Sequence, residues 1–151
     1  MQAGESALER IETQIALLIR LGETTRRATP VAAHRALDRA AYVILRHLAD
    51  AGPQNVSALA DRLGLDGSTV TRQVSAMQRD GLVVREADPR DGRGTVIAPT
   101  GAGLRRMAAV RAARVDVYGQ ILASWTDDDR EQLATLMGRL IEALEAHRRS
   151  G

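Results

Sequence analysis

The sequence contains no cysteine, no lysine and no phenylalanine. Without cysteine, the chain can form neither disulfides nor thiolate zinc sites, and it cannot sense peroxide through a thiol. No apolar run approaches the length of a membrane span, and the N-terminus shows no signal-peptide pattern. We therefore expect a cytoplasmic protein without a membrane partner.

Aromatic residues are also scarce, since Tyr42, Tyr118 and Trp125 are the whole set. The core must therefore consist of Leu, Val, Ile, Ala and Met. A chain of 151 residues suits one domain, or a small domain with oligomerisation arms. A thin aliphatic core in a helix-rich chain favours the second arrangement, in which more apolar surface is buried between subunits.

The stretch 56–81 predicts two short helices separated by a tight turn. The first helix is expected over 57–63, with Ser57 as its N-cap. Its buried stripe consists of Leu59, Ala60 and Leu63. Gly64 can adopt the left-handed conformation that ends a helix, and Leu65 is then expected to fold back onto the core.

The second helix is predicted to begin at Asp66 or Ser68 and to carry an inward stripe of Val70, Val74 and Met77. That stripe turns small hydroxyls and arginines outward, without any carboxylate. The outward and flanking polar residues are Ser68, Thr69, Thr71, Arg72, Ser75 and Arg79. Arginine can fork onto guanine or hold a phosphate, and an ordinary solvated face usually mixes both charge signs. The spacing therefore indicates a helix–turn–helix whose second helix enters the major groove of DNA.

Two strands are predicted after this helix, over 82–87 and 95–98, with Asn55–Val56 as a short third strand. The loop between the two main strands contains turn-forming residues and two arginines, Arg90 and Arg93. An arginine-tipped hairpin beside a recognition helix is a wing. It can reach the narrow, electronegative minor groove of A·T-rich DNA.

Charge is distributed unevenly along the chain. Residues 38–114 hold 12 arginines against 8 acidic residues, whereas residues 115–151 hold 4 against 7. The middle is thus basic and the end acidic. This distribution fits a DNA-reading centre with arms that stay away from the phosphates.

The flanking segments predict amphipathic helices. Ser6 and Glu9 form a capping box, and a further helix ending near Asp50 precedes the DNA-reading motif. A long helix capped by Thr100 is expected to reach Ser124, and Thr126 caps the last one. The apolar stripes of the two terminal helices are Leu8, Ile11, Ile15 and Leu18, and Leu133, Leu136, Leu140 and Leu144. Such near-heptad stripes favour an intersubunit helical bundle.

Other polar clusters have simpler interpretations. The acidic run 127–129 lies in the first turn of a helix, where the macrodipole favours carboxylates, so capping is preferred to metal binding. His34, His47 and His147 share no ligand spacing. We find no nucleotide-binding glycine loop and no catalytic triad or carboxylate pair. No metal, no cofactor and no enzymatic activity are therefore expected.

In order, these motifs resemble the MarR family of dimeric winged helix–turn–helix regulators. They are Leu-Ala-Asp-Arg-Leu-Gly-Leu, Ser-Thr-Val-Thr-Arg-Gln-Val, Asp-Gly-Leu-Val, Asp-Pro-Arg-Asp-Gly-Arg and Pro-Thr-Gly-Ala-Gly. The resemblance covers about 37–106, and its most specific part is the Asp-x-Arg-Asp-x-Arg wing signature. It implies that Arg93 enters the minor groove, that Asp91 orients it and that Arg90 contacts the DNA backbone. It also places Thr71 and Arg72 at recognition-helix positions that the family uses on DNA.

The resemblance implies a mainly α fold with a small β-wing, whose terminal helices form the dimer. The expected divisions are an N-terminal dimerisation helix and connector over 1–36, a winged helix–turn–helix over 37–99, and C-terminal dimerisation helices over 100–151. The expected function is that of a homodimeric repressor binding a pseudo-palindromic operator in double-stranded DNA. A winged-helix module for protein interaction or ligand binding, without specific DNA readout, is the alternative.

Members of this family often hold a small ligand between the dimer arms and the DNA lobe. The resemblance therefore implies a small aromatic or carboxylate effector in that cleft. The residues expected around it are Tyr42, Arg46, Met107, Arg111 and Tyr118. An arginine at such a place can pair with a carboxylate.

Overall fold

The computed structural model describes residues 4–28 and 37–151. Six helices and a two-stranded antiparallel sheet follow one another along these ranges. They are α1 (Ala7–Ala28), α2 (Arg39–Ala51), α3 (Val56–Leu63), α4 (Gly67–Arg79), β1 (Val83–Ala87), β2 (Thr95–Pro99), α5 (Gly101–Ile121) and α6 (Asp127–Ser150). The predicted order of helix–turn–helix, wing and flanking helices is confirmed. His34 lies outside the described residues.

Side chains cap each of the six described helices at its first turn. In each case an oxygen accepts a backbone N–H that has no partner within the helix, as Ser, Thr, Asp and Asn favour at this position. The caps of α2 to α6 are Asp38, Asn55, Asp66, Thr100 and Thr126. The predicted capping box at the start of α1 is also confirmed, with the Ser6 amide donating to Glu9 Oε2 at 2.6 Å.

The start of α3 differs from the prediction. Asn55, not Ser57, is the N-cap, and its Oδ1 accepts from the Ala58 amide at 2.7 Å. Because α3 begins at Val56, Asn55–Val56 cannot form the predicted third strand. Gln54 instead makes a single antiparallel bridge to Ile97. Because Asn55 caps α3 and Val56 begins it, neither residue is available to extend the sheet.

A continuous aliphatic core joins α2, α3, α4, the sheet and the first half of α5. Its most enclosed members are Ile44, Leu45, Leu59, Val70, Val74, Ile97 and Val110. Leu65 is the exception to the prediction, because 43% of it is exposed. Its backbone N–H does fold back and donates to the Ala60 carbonyl oxygen at 3.0 Å, but Leu65 is not part of the buried core cluster.

The beginning of α5 is fitted closely against the turn between α4 and β1. The Thr100 hydroxyl donates to the Gly81 carbonyl at 2.6 Å, and the Thr100 amide donates to the Leu82 carbonyl at 3.0 Å. A Cβ at Gly103 would lie 2.2 Å from that same Leu82 oxygen, so only glycine fits there. This contact fixes the wing against the long helix.

The end of α5 comes earlier than predicted, at Ile121 rather than Ser124. The Leu122 carbonyl leaves the helix ladder and accepts from the Arg130 guanidinium at 2.8 Å and from the Trp125 amide at 3.0 Å. These bonds close the corner between α5 and α6.

The terminal helices carry their apolar stripes on the surface of the single chain. No residue of α6 is buried, and Leu136 and Leu144 are each 57% exposed. Leu8 and Leu18 of α1 are 78% and 59% exposed. Within the described ranges, none of the helices is long and apolar enough to cross a membrane.

Candidate nucleic-acid interface

Helix α4 presents the predicted polar face to solvent. Val70 and Val74 are fully enclosed, and Met77 is 1% exposed, which fixes the rotation of the helix about its axis. Arg72, Ser75 and Arg79 are consequently exposed. Because α4 contains no Asp or Glu, nothing within the helix neutralises its arginines.

The hydroxyl groups of the first residues of α4 donate hydrogen bonds within the first turn of the helix. Asp66 accepts from the Ser68 hydroxyl at 2.6 Å, from the Thr69 amide at 2.7 Å and from the Thr69 hydroxyl at 3.0 Å. The Ser68 bond, followed by the two Thr69 bonds, lowers the pKa of Asp66 from 3.8 to about 2. The Thr71 hydroxyl similarly donates to the Gly67 carbonyl at 2.8 Å.

This arrangement limits how these three residues can contact DNA. A hydroxyl has one proton to donate, and Ser68, Thr69 and Thr71 use theirs within the chain. Phosphate oxygens only accept hydrogen bonds. The three hydroxyls therefore have no free proton to donate to a phosphate and could only accept, for example from an amino group.

A shallow groove of about 760 Å³ runs along the exposed face of α4. Its lining residues are Thr71, Arg72, Ser75, Gln78 and Arg79. Gln78 is absent from the sequence-based prediction, although it lies one helical turn beyond Ser75 on the same face and could have been found by that spacing. Its Oε1 accepts from Arg85 Nε at 3.0 Å, so this residue also connects α4 to β1 of the wing.

The wing loop 88–94 is braced by its own aspartates. Asp88 Oδ1 accepts from the Arg90 amide at 2.8 Å, and Asp91 Oδ1 accepts from the Arg93 amide at 3.1 Å. The Asp91 carboxylate thus holds the backbone at Arg93, which would fix where that side chain leaves the loop. Arg90, Asp91 and Arg93 are all exposed. Their contacts with DNA remain predictions.

The inner side of α4 is tied to the start of α2. Gln73 Nε2 lies 3.3 Å from each carboxylate oxygen of Asp38, the residue that caps α2. The next residue, Arg39, donates to Glu23 of α1. Hydrogen bonds therefore link α1 to α4 through two adjacent residues, Asp38 and Arg39, a connection that helical spacing alone does not predict.

The residues predicted to surround an effector have different environments. Tyr42 is half-buried against the core, and the Arg114 guanidinium lies 4.5 Å from its ring centroid. Arg46 pairs with Asp50 at 3.5 Å, and Met107 is buried in the core. Arg111 and Tyr118 are exposed on α5. The effector site therefore stays a prediction.

Among the described residues, no group of three or more His, Asp or Glu is placed to hold a metal ion. Burial lowers the pKa of His47, and the positive charge of Arg62 lowers it further. The acidic run 127–129 occupies the first turn of α6, where Thr126 accepts from the Asp129 amide at 3.1 Å. That position is consistent with the predicted capping role.

Comparison with known proteins gives a consistent family match. The family model described as the MarR family matches residues 37–94. An uncharacterised HTH-type transcriptional regulator of Bacillus subtilis (strain 168), YxaD, is 35% identical over 107 residues, covering 71% of this chain and 75% of that protein. This relative is similar over the winged helix and beyond it.

Solved structures share the fold. A MarR family protein from Bacillus stearothermophilus is 25% identical, with a TM-score of 0.69 over 91% of this chain and 92% of that one. The PcaV transcriptional regulator from Streptomyces coelicolor, solved in complex with its natural ligand, is 22% identical with a TM-score of 0.69. It covers 95% of this chain and 99% of its own.

Proposed function

Because the chain belongs to the MarR family of transcriptional regulators, we propose that it is a homodimeric repressor that binds a pseudo-palindromic operator. The observation that carries this proposal is the face of α4, where Arg72 and Arg79 flank a groove without any acidic residue of the helix. The wing places Arg90 and Arg93 on the exposed loop that follows β1.

The homodimer is supported by the apolar stripes of α1 and α6, which the single chain leaves exposed. We propose that residues 1–36 and 100–151 supply the dimerisation helices and that residues 37–99 bind DNA. Two recognition helices would then enter successive major grooves about 10 bp apart on one side of the duplex. The proposed repressor would act in the cytoplasm, where it meets DNA, and it would not catalyse a reaction.

We further propose that a small aromatic or carboxylate effector relieves DNA binding. Support comes from the fold shared with PcaV, whose structure contains its natural ligand. The exposed Arg111 would supply positive charge for a carboxylate, and Arg46 would do so by exchanging its pair with Asp50 for the ligand. Tyr42, Met107 and Tyr118 would supply apolar and aromatic surface.

Selection of bound duplexes from a random DNA pool tests the proposed function. A repressor of the proposed kind enriches one pseudo-palindromic sequence, and the protein–DNA complex has the mass of two chains. A protein-interaction or ligand-binding module enriches no sequence. A pool in which no sequence is enriched would favour the protein-interaction or ligand-binding module.

Removal of the reading arginines gives a sharper test on the selected duplex. Arg72→Ala should cost about 1–3 kcal/mol of binding free energy and relax base choice, if the guanidinium reads a base. Arg93→Ala should weaken binding most on duplexes with A·T-rich flanks. Arg139→Ala, which removes the same charge from the exposed face of α6, is the matched control in gel shifts. Equal affinities for all four proteins would exclude the proposed reading surface.

A further inference from the structure

The last turns of α6 contact the last turn of α3. Glu145 and Arg148 lie three residues apart on one side of α6, as helical spacing places them. Glu145 Oε2 lies 3.4 Å from the Arg62 guanidinium, and Arg148 donates to the Arg62 carbonyl oxygen at 3.2 Å. One arginine of the helix–turn–helix is thus held by its side chain and by its backbone.

The backbone of the turn leaves room for this contact. Arg62 belongs to the last turn of α3, where carbonyl oxygens have no helical partner and attract positive charge. Gly64 then follows with a φ of +65°. A Cβ at Gly64 would lie 3.0 Å from Arg148 Cδ, so the bare glycine provides the space for the arginine stem.

The contact lies close to the start of the recognition helix. Asp66, two residues after Gly64, is the N-cap of α4. The turn between α3 and α4 therefore joins Arg62, which α6 contacts, to Asp66, which caps α4. A shift of α6 at Arg148 would be transmitted to the beginning of α4 through only three residues.

We infer that Glu145 and Arg148 are positioning residues for DNA binding, acting through Arg62 and the turn 64–66. This role rests on the proposed function, since it requires that α4 reads DNA. By holding α3 against α6, the two residues couple the direction of the recognition helix to the arms that form the dimer.

The substitution Glu145→Arg separates positioning from bulk electrostatics, because the two predict opposite signs. Added positive charge by itself strengthens DNA binding. Loss of the contact weakens it, by about three- to tenfold because a dimer carries the pair twice. Glu142→Arg is the matched control, since it makes the same charge change at an exposed position one turn earlier. It should bind as tightly as the wild type or more tightly.

The charge-swapped protein Arg62→Glu with Glu145→Arg tests whether the effect acts through the pair. It should recover most of the lost affinity. A second matched comparison is Arg148→Ala, expected to bind less tightly, against Arg149→Ala, which removes the same charge from the next residue. Affinities are measured by fluorescence anisotropy on the duplex selected from the random pool, with dimer mass and circular dichroism recorded for every variant.

Each outcome decides the inference. Weaker binding by Glu145→Arg, unimpaired binding by Glu142→Arg and recovery in the swapped protein would support it. Equal affinity of Glu145→Arg and Glu142→Arg would overturn it, as would a swapped protein that recovers nothing. A wild-type chain that selects no duplex would instead refute the proposed function, which keeps the two failures distinct.

Discussion

Helices α4 and α6 carry similar apolar repeats but bury them very differently. In α4 the stripe of Val70, Val74 and Met77 is almost fully enclosed by the rest of the chain. In α6 the stripe that includes Leu136, Leu140 and Leu144 is exposed, and the helix contains no buried residue. Periodicity therefore predicts which face of a helix is apolar, but it does not predict what covers that face.

The difference has an energetic meaning. Full burial of a leucine side chain is worth about 1.5–3 kcal/mol, so an exposed leucine stripe leaves that free energy unused in the single chain. Helices α2 to α4 obtain it from the core that they share. The arms can obtain it from a second copy of the chain, which is why we propose the dimer.

Truncation of the aliphatic core around α4 should have the largest effect on stability. Leu45 is fully enclosed, and Leu45→Ala should lower the free energy of unfolding by about 2–5 kcal/mol because it leaves a cavity. Urea unfolding at fixed protein concentration measures the loss. Leu65→Ala is the control, because the Leu65 side chain is 43% exposed and its removal should change stability little. Similar losses in the two variants would contradict the assigned core.

Disruption of the apolar stripe on α6 should separate the two chains of the proposed dimer. Leu136→Asp combined with Leu144→Asp should produce a folded monomer, since charge on that face prevents its burial against a partner. Operator affinity should fall by about a hundredfold, because two half-sites are no longer held together. Analytical ultracentrifugation gives the mass, and Arg139→Asp on the same helix is the control. A variant that stays dimeric would place the interface elsewhere.

Acid titration of the α4 cap should have the smallest effect. The pKa of Asp66 is lowered to about 2, so its stabilising contribution is present above the usual 3.8 and is lost as the pH falls towards 2. In Asp66→Asn the capping oxygen remains but does not titrate. The wild type should therefore lose its stability advantage over Asp66→Asn across that range, as measured by thermal unfolding. An advantage that is independent of pH would show that the carboxylate charge is not involved.

Sequence reasoning was most successful where the signal is local. The stripe of α4, the capping box at Ser6 and the caps Thr100 and Thr126 each depend on residues a few positions apart. The predictions that were wrong concern residues at the ends of α3, where neighbouring residues have alternative partners. Asn55 caps α3 instead of extending the sheet, and Leu65, which was expected to pack onto the core, is 43% exposed.

Contacts between distant elements were not predicted from the sequence. The bond of Gln73 to Asp38 spans 35 residues, and the pair of Arg62 with Glu145 spans 83. No periodicity relates such residues, because their distance depends on how whole helices pack. Gln78 could be predicted only in part. Helical spacing places it on the exposed face of α4, whereas its hydrogen bond with Arg85 requires the wing to lie alongside α4.

Local residue patterns were enough to predict the apolar faces of the helices, the turns and the arginine-bearing wing, since these follow from hydrogen bonding and side-chain spacing within one or two turns. Which apolar faces are enclosed within the chain and which stay exposed depends instead on tertiary packing. The contact between the end of α6 and the last turn of α3 has the same origin. Those outcomes depend on the packing of elements that are remote in sequence, where small differences in helix direction determine which side chains come within contact.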